Sequence, residues 1–183
     1  MIYTFIKKII RKNIYSKEVV NVYIHDEFIP QPSDISIQYA NLKNIEDTLD
    51  FQDKKYIEIF KNFLVLDDIG YLGYITNKCV HRSWVKQNNK IVNFHWAYDY
   101  KLKDNEIFIH YCETDKYVRG RNIFPIVLNF IIQDSLDKKI LITVNKHNIA
   151  SIKSVKKVGF KLKKMIYVTI FLGMKFIKEV EDE

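Results

Sequence analysis

The chain has 183 residues, of which 48% are hydrophobic and 28% are charged. This length and balance predict one α/β domain with a full hydrophobic core and exclude an intrinsically disordered chain. The formal net charge of +7 would suit a nucleic-acid partner, but no DNA- or RNA-binding motif accompanies the basic residues, so none is expected.

The first predicted element is an amphipathic helix over residues 2–14. Its apolar face opposes a basic one, with Ile2, Phe5, Ile6, Ile9, Ile10 and Ile14 against Lys7, Lys8, Arg11 and Lys12. We favour a helix docked on a sheet and leave weak contact with an anionic membrane surface open. Lysines interrupt every apolar run long before about 20 residues, which excludes a signal peptide and a membrane-spanning helix.

The middle of the chain is predicted to contain short strands and helices. A strand over 19–24 and a Pro-containing break at 29–32 complete an N-terminal extension over residues 1–34 that packs on the main domain, 35–183. That domain is predicted to begin with a strand over 35–42, helical turns from Asn44 and a helix over 53–62. Residues 63–66 and 70–80 are predicted to pair as a hairpin across Asp67 and Asp68, and 91–98 to form an aromatic-rich strand.

The most informative segment is 106–134, which reads EIFIHYCETDKYVRGRNIFPIVLNFIIQD. Apolar residues on both faces predict a central strand, and the spacing after Asn122 predicts a helix with Pro125 in its first turn. Between them lies an Arg-rich turn in which Gly120 and Asn122 tolerate left-handed backbone angles. Free backbone N–H groups at a helix start, next to guanidinium groups, suit a phosphate site. An ordinary strand–turn–helix connection with solvated arginines is the alternative that this turn alone leaves open.

A second strand, turn and helix follow at 140–162, ILITVNKHNIASIKSVKKVGFKL, with Asn148 as the predicted helix cap and Gly159 as its stop. Together the two segments resemble the acetyl-coenzyme A core of the GNAT acyltransferase superfamily. Arg119 matches the first position of that family's pyrophosphate loop, Arg/Gln-x-x-Gly-x-Gly/Ala, whereas Asn122 and Phe124 replace its small residues. The pattern from Asn148 and Ser151 to the Lys157–Phe160 run is similar to the family's closing motif.

The resemblance implies a single α+β domain with a mixed central sheet flanked by helices, in which a splayed pair of parallel strands holds acetyl-coenzyme A. It implies acetyl transfer from this donor to an amine, without a metal. The cofactor-binding residues that it implies are Cys112, Glu113, Thr114, Arg119, Gly120, Arg121, Asn122, Ile123, Phe124, Asn148, Ser151 and Lys157.

Strand alternation predicts that Glu106, Phe108, His110, Cys112 and Thr114 share one face. We predict His110 as the general base, because its unperturbed pKa is near 6.5. Glu106 is the second candidate, at the spacing from Arg119 at which histone-acetylating relatives keep a glutamate base. Many relatives protonate the departing thiolate with a tyrosine that, counted from Asn148, corresponds to Val155. The alternative donors are Ser151, Tyr111, Tyr117 and water.

The predicted acceptor-binding residues are His81, Trp84, His95, Trp96 and Tyr111. The stretch YVRGRNIFPIVL is similar to GNAT proteins associated with bacterial surface-polysaccharide synthesis, which implies an amino-sugar acceptor, free or nucleotide-linked. A protein or peptide acceptor is the first alternative, and an antibiotic or polyamine acceptor also stays open. A further alternative is a non-catalytic domain that binds coenzyme A or serves as a basic interaction module.

Cysteine usage bears on localisation. Cys79 and Cys112 both lie in apolar strand-like runs and are predicted to be buried thiols rather than a disulfide, which is typical of a cytoplasmic protein. The run from Cys79 to His81 is the nearest approach to a metal-ligand spacing, and no metal is expected. The sequence leaves the oligomeric state open.

Overall fold

The computed structural model describes residues 14–87 and 89–182. The helix predicted over 2–14 therefore lies outside the described residues, except for Ile14. The strands are β1 (Tyr15–His25), β2 (Ser36–Tyr39), β3 (Ile69–Ile75), β4 (Lys78–Lys86), β5 (Ile91–His95), β6 (Tyr98–Lys101), β7 (Glu106–Thr114), β8 (Lys139–Asn145), β9 (Phe160–Phe171) and β10 (Met174–Glu181). The α-helices are α1 (Lys55–Val65), α2 (Ile123–Gln133) and α3 (Ile149–Lys157), with 3-10 turns at Ile45–Asp50 and Lys116–Val118.

An eight-stranded mixed sheet forms the centre of the molecule, in the order β10-β9-β1-β8-β7-β4-β3-β2. Strands β7 and β8 are parallel, because α2 carries the chain back between them, and the other hydrogen-bonded neighbours in this sheet are antiparallel. β1 lies between β8 and β9, well inside the sheet. The boundary predicted between residues 34 and 35 stays a prediction.

Both faces of the middle of the sheet are covered, whereas β10 at one edge is exposed. On one face Ile107 and Ile109 of β7 pack with Val127 of α2 and Val155 of α3. The opposite face is covered by two units. A separate β5–β6 hairpin packs on Phe108, among other residues, while α1 and the first 3-10 turn pack on β3 and β4. This arrangement confirms the predicted α+β domain. Within the described residues, no helix is long and apolar enough to cross a bilayer.

The hairpin prediction was wrong. Residues 63–65 belong to α1, and the hairpin is formed by β3 and β4 around Thr76 and Asn77. Those two residues have positive φ angles of 46° and 64°, the conformation that a tight two-residue turn between twisted strands requires. Asp67 and Asp68 instead follow the end of the helix. The apolar residues of 63–66 gave no indication that the helix continues, since short apolar runs are shared by strands and helices.

Candidate active site

A cleft opens where the two parallel strands separate. β7 and β8 are in register from Glu106–Lys139 to Ile109–Ile142, and beyond these pairs a cleft of about 980 Å³ lies between them. Residues from the starts of α2 and α3 line one part of the cleft, and residues from α1, β4 and β5 line another. The cleft therefore has access to groups on both faces of the sheet.

A β-bulge at Tyr111 marks the point of separation. Tyr111 has a φ of 52°, and the register between β4 and β7 shifts between Arg82 and Trp84. Because a bulge inserts one residue, the side chains after it change faces. Phe108 and His110 stack with each other, whereas Cys112 packs with the core under α2 and α3. The prediction that 106, 108, 110, 112 and 114 share one face was therefore wrong beyond His110.

Arg82 stabilises this bulge. Its buried guanidinium donates hydrogen bonds to the Tyr111 carbonyl and, at 2.9 Å, to Oε1 of Gln52. The guanidinium carbon also lies 4.9 Å from the centre of the Phe60 ring and 4.8 Å from that of Tyr111, distances typical of cation–π contacts. Burial lowers the pKa of Arg82. Arg82 thus provides a donor to a carbonyl at the distorted position of β7.

We call the part of the cleft formed by residues 118–125 and by α3 the loop side. Gly120 and Asn122 have positive φ angles of 84° and 58°, as the sequence predicted. In the described part of the chain, the backbone N–H groups of residues 120–124 donate no hydrogen bond. An αL residue directly before α2 thus leaves a run of unpaired donors at a helix start.

Charged side chains flank this loop. Nη2 of Arg119 lies 2.5 Å from Oε1 of Glu113, and its Nε donates to the Thr114 carbonyl at 3.2 Å. Nζ of Lys157 donates to Oδ1 of Asn122 at 2.9 Å, so Lys157 holds the loop from behind. Lys157 and Arg121 do not themselves line the cleft. The other predicted cofactor residues do, namely Cys112, Glu113, Thr114, Arg119, Gly120, Asn122, Ile123, Phe124, Asn148 and Ser151.

The helix α3 presents small residues to the cleft. Oδ1 of Asn148 accepts a hydrogen bond from the Ser151 N–H at 3.2 Å, which is the predicted cap. Ala150, Ser151 and Ser154 line the cleft, whereas Val155 is fully buried in the core. The position that corresponds to the family's tyrosine, Val155, is therefore a core residue in this chain. Sequence reasoning missed Ser154, which helical periodicity from Ser151 would have placed on the same face.

We call the other part of the cleft the aromatic side. Its lining includes Phe63 of α1, Lys86 of β4 and Asn93 of β5, together with Phe108 and His110 of β7. The Phe63 ring centre is 5.1 Å from that of His110 and 5.2 Å from that of Tyr111, both nearly perpendicular. This edge-to-face packing holds the imidazole against an apolar wall.

His110 also contacts a buried carboxylate. Its Nε2 lies 3.3 Å from Oδ2 of Asp68, outside hydrogen-bond geometry, and the Asp68 side chain has no exposed surface. Burial lowers the pKa of His110 below its ordinary 6.5, while Asp68 opposes that shift. The imidazole is therefore neutral near pH 7. Sequence reasoning missed Asp68 because nothing in the local pattern brings the end of α1 to the middle of β7.

Glu106, the second predicted base, lies outside the cleft. Its carboxylate accepts hydrogen bonds from the Tyr100 hydroxyl at 2.8 Å, the Lys103 N–H at 3.2 Å and Nζ of Lys139 at 3.1 Å. Burial would raise the pKa of Glu106, but these hydrogen bonds outweigh it and lower the pKa. Glu106 sits where β7 and β8 are still paired. Glu106 therefore lies outside the cleft in a hydrogen-bond network, and its role as a base stays a prediction.

The predicted acceptor residues are divided by the fold. Tyr111 and His81 line the cleft. His81 is completely buried, with Nδ1 2.7 Å from Oγ1 of Thr114 and Nε2 2.8 Å from Oγ of Ser83. Burial, with the charge of Arg82, lowers the pKa of His81 to about 3. His81 is thus a neutral support of the cleft floor.

The other three predicted acceptor residues do not line the cleft. Trp84 is fully buried against Phe60 and Phe63. Nε2 of His95 lies 3.3 Å from Oε2 of Glu18. Trp96 lies beneath Nζ of Lys175, 5.7 Å from its ring centre, at the turn of the β5–β6 hairpin. The fold places these three residues outside the cleft lining, because the hairpin directs its turn toward β1 and β10 and α1 covers Trp84.

Solved structures share this fold. No protein-family model and no curated protein matches the chain. An acetyltransferase of the GNAT family from Colwellia psychrerythraea is 12% identical, with a TM-score of 0.67 over 90% of this chain and 58% of its own. A GCN5-related N-acetyltransferase-like protein from Streptococcus suis is 15% identical, with a TM-score of 0.57 over 92% and 66%.

A third similar structure is the aminoglycoside N-acetyltransferase AAC(6')-Iy in complex with CoA, 12% identical, with a TM-score of 0.54 over 69% of this chain and 91% of its own. The chain thus spans less than two thirds of the length of the Colwellia and Streptococcus proteins. Identities of this size establish the fold alone, and that fold is the GNAT acetyltransferase fold.

Proposed function

We propose that the chain is an acetyl-coenzyme A-dependent N-acetyltransferase that acts on the amine of a small acceptor. One observation carries the proposal. A single cleft joins unpaired N–H donors at the start of α2 to a partly buried, neutral imidazole on the opposite face of the sheet. Such a cleft suits a donor that carries phosphate groups and an acceptor amine that must lose a proton.

The loop side fits coenzyme A by its donor set. The N–H groups of residues 120–124 and the positive end of α2 suit a pyrophosphate, and Arg119 adds a cation beside them. When bound, acetyl-coenzyme A supplies the activated acetyl group as a thioester. Of the predicted residues, Arg121 and Lys157 would act only from outside the cleft.

His110 is proposed as the general base. An ammonium group has no free electron pair to attack with, so a base must take its proton or the amine must arrive neutral. The lowered pKa keeps His110 unprotonated at neutral pH, and the Asp68 carboxylate would stabilise the imidazolium that forms. Phe63 and Phe108 limit the orientations of the ring. The role of Asp68 is one that the sequence did not suggest.

The departing sulfur requires a proton, and we propose Ser151 as its source, with Ser154 beside it. Both residues line the cleft on α3, where the fold offers no tyrosine. Tyr111 also lines the cleft, whereas Tyr117 does not and is 80% exposed. We therefore rank Tyr111 and water after the serines.

The acceptor that we propose is an amino sugar, free or nucleotide-linked, in surface-polysaccharide synthesis. The support is the sequence similarity around residues 117–128 and the aromatic surface of Phe63 and Tyr111, since such rings stack on sugars. A protein or peptide acceptor is the second candidate. A domain that binds coenzyme A without catalysis, or a basic interaction module, is the non-enzymatic one.

The test combines binding with turnover. We expect coenzyme A to raise the melting temperature, and thiol release from acetyl-coenzyme A to accelerate when glucosamine is added. Stabilisation without transfer to any amine would favour the binding domain. Absence of stabilisation at saturating coenzyme A would contradict the proposal.

His110→Gln tests the base. We expect at least a hundredfold lower kcat with little change in the Kd for coenzyme A, since general-base catalysis contributes about 10² to 10⁴. In the unchanged protein, kcat/KM should fall as the pH drops below the lowered pKa of His110, and this dependence should disappear in the variant. His147→Gln, at an exposed histidine outside the cleft lining, is the control. Unchanged turnover in His110→Gln would remove His110 from the mechanism.

A further inference from the structure

We propose that the acceptor amine also carries an anionic group, a phosphate or a carboxylate, and that Nζ of Lys86 binds it on the aromatic side of the cleft. This inference rests on the proposed function. It narrows the acceptor to amines that carry a negative charge and excludes polycationic amines, such as aminoglycosides and polyamines, as preferred acceptors.

One charged side chain in the cleft lining has no partner of opposite charge within that lining. Among the described residues, the Lys, Arg, Asp and Glu side chains in its lining are those of Lys86, Glu113 and Arg119. Glu113 and Arg119 form an ion pair with each other at 2.5 Å. The cleft lining therefore provides no carboxylate for Lys86, whose side chain keeps 22% of its surface exposed.

The carboxylate behind Lys86 is already shared. Asp68 is completely buried, with Nζ of Lys90 3.0 Å from its Oδ1, whereas Nζ of Lys86 is 4.0 Å from its Oδ2. His110 contacts the same Oδ2 and is neutral near pH 7. One negative charge thus faces two ammonium groups, which leaves one positive charge in excess. In a partly buried site, that excess attracts an anion more strongly than it would in water.

The phosphates of coenzyme A do not account for this charge. β4 and β7 are antiparallel, with His81 opposite Thr114 at one end and Lys86 opposite Phe108 at the other. Five residues of strand separate Lys86 from the level of Thr114, which is about 16 Å. The phosphate loop follows Thr114, beyond that far end. Lys86 and the phosphate loop therefore lie on opposite sides of His110, the proposed base.

The neighbours of Lys86 suit an organic acceptor. Its Nζ lies 6.0 Å from the centre of the Phe63 ring, and Asn93 and Val92 line the same part of the cleft. An acceptor would thus meet an apolar wall, one amide and one cation, with the base at His110 close by. In the described part of the chain, the aromatic side exposes no carboxylate that would bind a second ammonium group. A polyamine would instead meet the excess positive charge.

Matched acceptors test the inference. We would compare glucosamine 6-phosphate with glucosamine, and L-phenylalanine with L-phenylalaninamide, and include spermidine as a polycation. We expect kcat/KM, measured by thiol release, to be about ten- to hundredfold higher for the anionic member of at least one pair, the range that a hydrogen bond to a charged group supplies. The favoured pair also tells a phosphate from a carboxylate.

Substitution of the lysine isolates its role. Lys86→Met keeps most of the side-chain length and removes the charge, so it should abolish the preference while the Kd for coenzyme A is unchanged. Lys178→Met, on the exposed strand β10, changes the net charge equally and should retain the preference. A preference for the neutral member in both pairs, a preference for spermidine, or a preference unchanged in Lys86→Met would overturn the inference.

A binding measurement separates this inference from the proposed function. N-acetylglucosamine 6-phosphate should raise the melting temperature of the free protein more than N-acetylglucosamine does, and Lys86→Met should remove the difference. This readout requires neither coenzyme A nor turnover. If coenzyme A fails to bind but the difference remains, the acetyltransferase proposal fails and the anion site stands. Equal shifts by the two sugars would overturn the anion site.

Discussion

The two sides of the cleft are built in different ways. The loop side comes from two continuous segments, in which a strand, a turn and a helix follow one another, and it offers mainly backbone N–H groups. The aromatic side gathers single side chains from the separate elements α1, β4, β5 and β7. A site made of backbone groups leaves a readable local pattern, whereas one made of scattered side chains does not.

The two sides also differ in how they treat charge. On the loop side, Arg119 and Glu113 are paired and exposed to solvent, so their interaction is screened and contributes little to stability. On the aromatic side, the carboxylate of Asp68 is fully buried among Lys86, Lys90 and His110. Substitution of a single charged residue on the loop side should therefore change the free energy of unfolding little. On the aromatic side, removal of any one of these charged groups should lower it.

The largest expected effect comes from a substitution at the end of α3, the helix that forms part of the loop side. Gly159 ends α3 with a φ of 90°, and a Cβ there would lie 1.6 Å from the Glu27 carbonyl oxygen. Gly159→Ala should therefore lower the free energy of unfolding by about 4 kcal/mol, since left-handed strain and a backbone clash add. Urea denaturation measures this.

Gly173→Ala is the matched control, because Gly173 has a φ of 80° and no atom within 4 Å of the added Cβ. It should cost only about 1 kcal/mol, the strain alone. Equal losses in the two variants would show that the contact between Gly159 and Glu27 does not constrain the end of α3.

The second-largest expected effect comes from Arg82, which supports the bulge between the two sides. Arg82→Met leaves the Tyr111 carbonyl and the Gln52 side chain without their donor, and we expect a loss of about 3 kcal/mol in the free energy of unfolding. Because Tyr111 lies between the loop side and His110, both the affinity for coenzyme A and kcat should fall. Lys101→Met, which removes an exposed positive charge on β6, is the control. A loss below about 1 kcal/mol would mean that the bulge forms without Arg82.

The smallest expected effect comes from removing a charge on the exposed loop side, that of Arg119. Arg119→Ala should raise the Kd for coenzyme A about tenfold, because one charge-assisted contact to a phosphate is lost. Its effect on stability should be close to zero, as expected for an exposed ion pair. Calorimetric titration of coenzyme A, with Lys178→Ala as the control for net charge, measures the change. An unaltered Kd would show that Arg119 does not contact the cofactor.

Several predictions held because they depended on local pattern. The strand at 106–114, the left-handed positions Gly120 and Asn122, and the Asn148 cap are each encoded by a few neighbouring residues. The fold class followed from the resemblance of two such segments, in order, to the GNAT superfamily core. Failures occurred where a pattern was ambiguous, as at 63–66, or where counting by two ignored the bulge at Tyr111.

By periodicity and turn chemistry, which act over short distances, the sequence itself determined the strand at 106–114 and the loop that precedes α2. Its resemblance to the GNAT superfamily implied the α+β class and the parallel pair of strands. Only the tertiary structure decided which side chains meet. Packing brought Asp68 and Lys86 to His110, and it removed Glu106, Trp84, His95 and Trp96 from the cleft. The physical reason is that contacts across a sheet depend on the order of its strands and on the bulge at Tyr111. Neither can be predicted from the local pattern of a single segment.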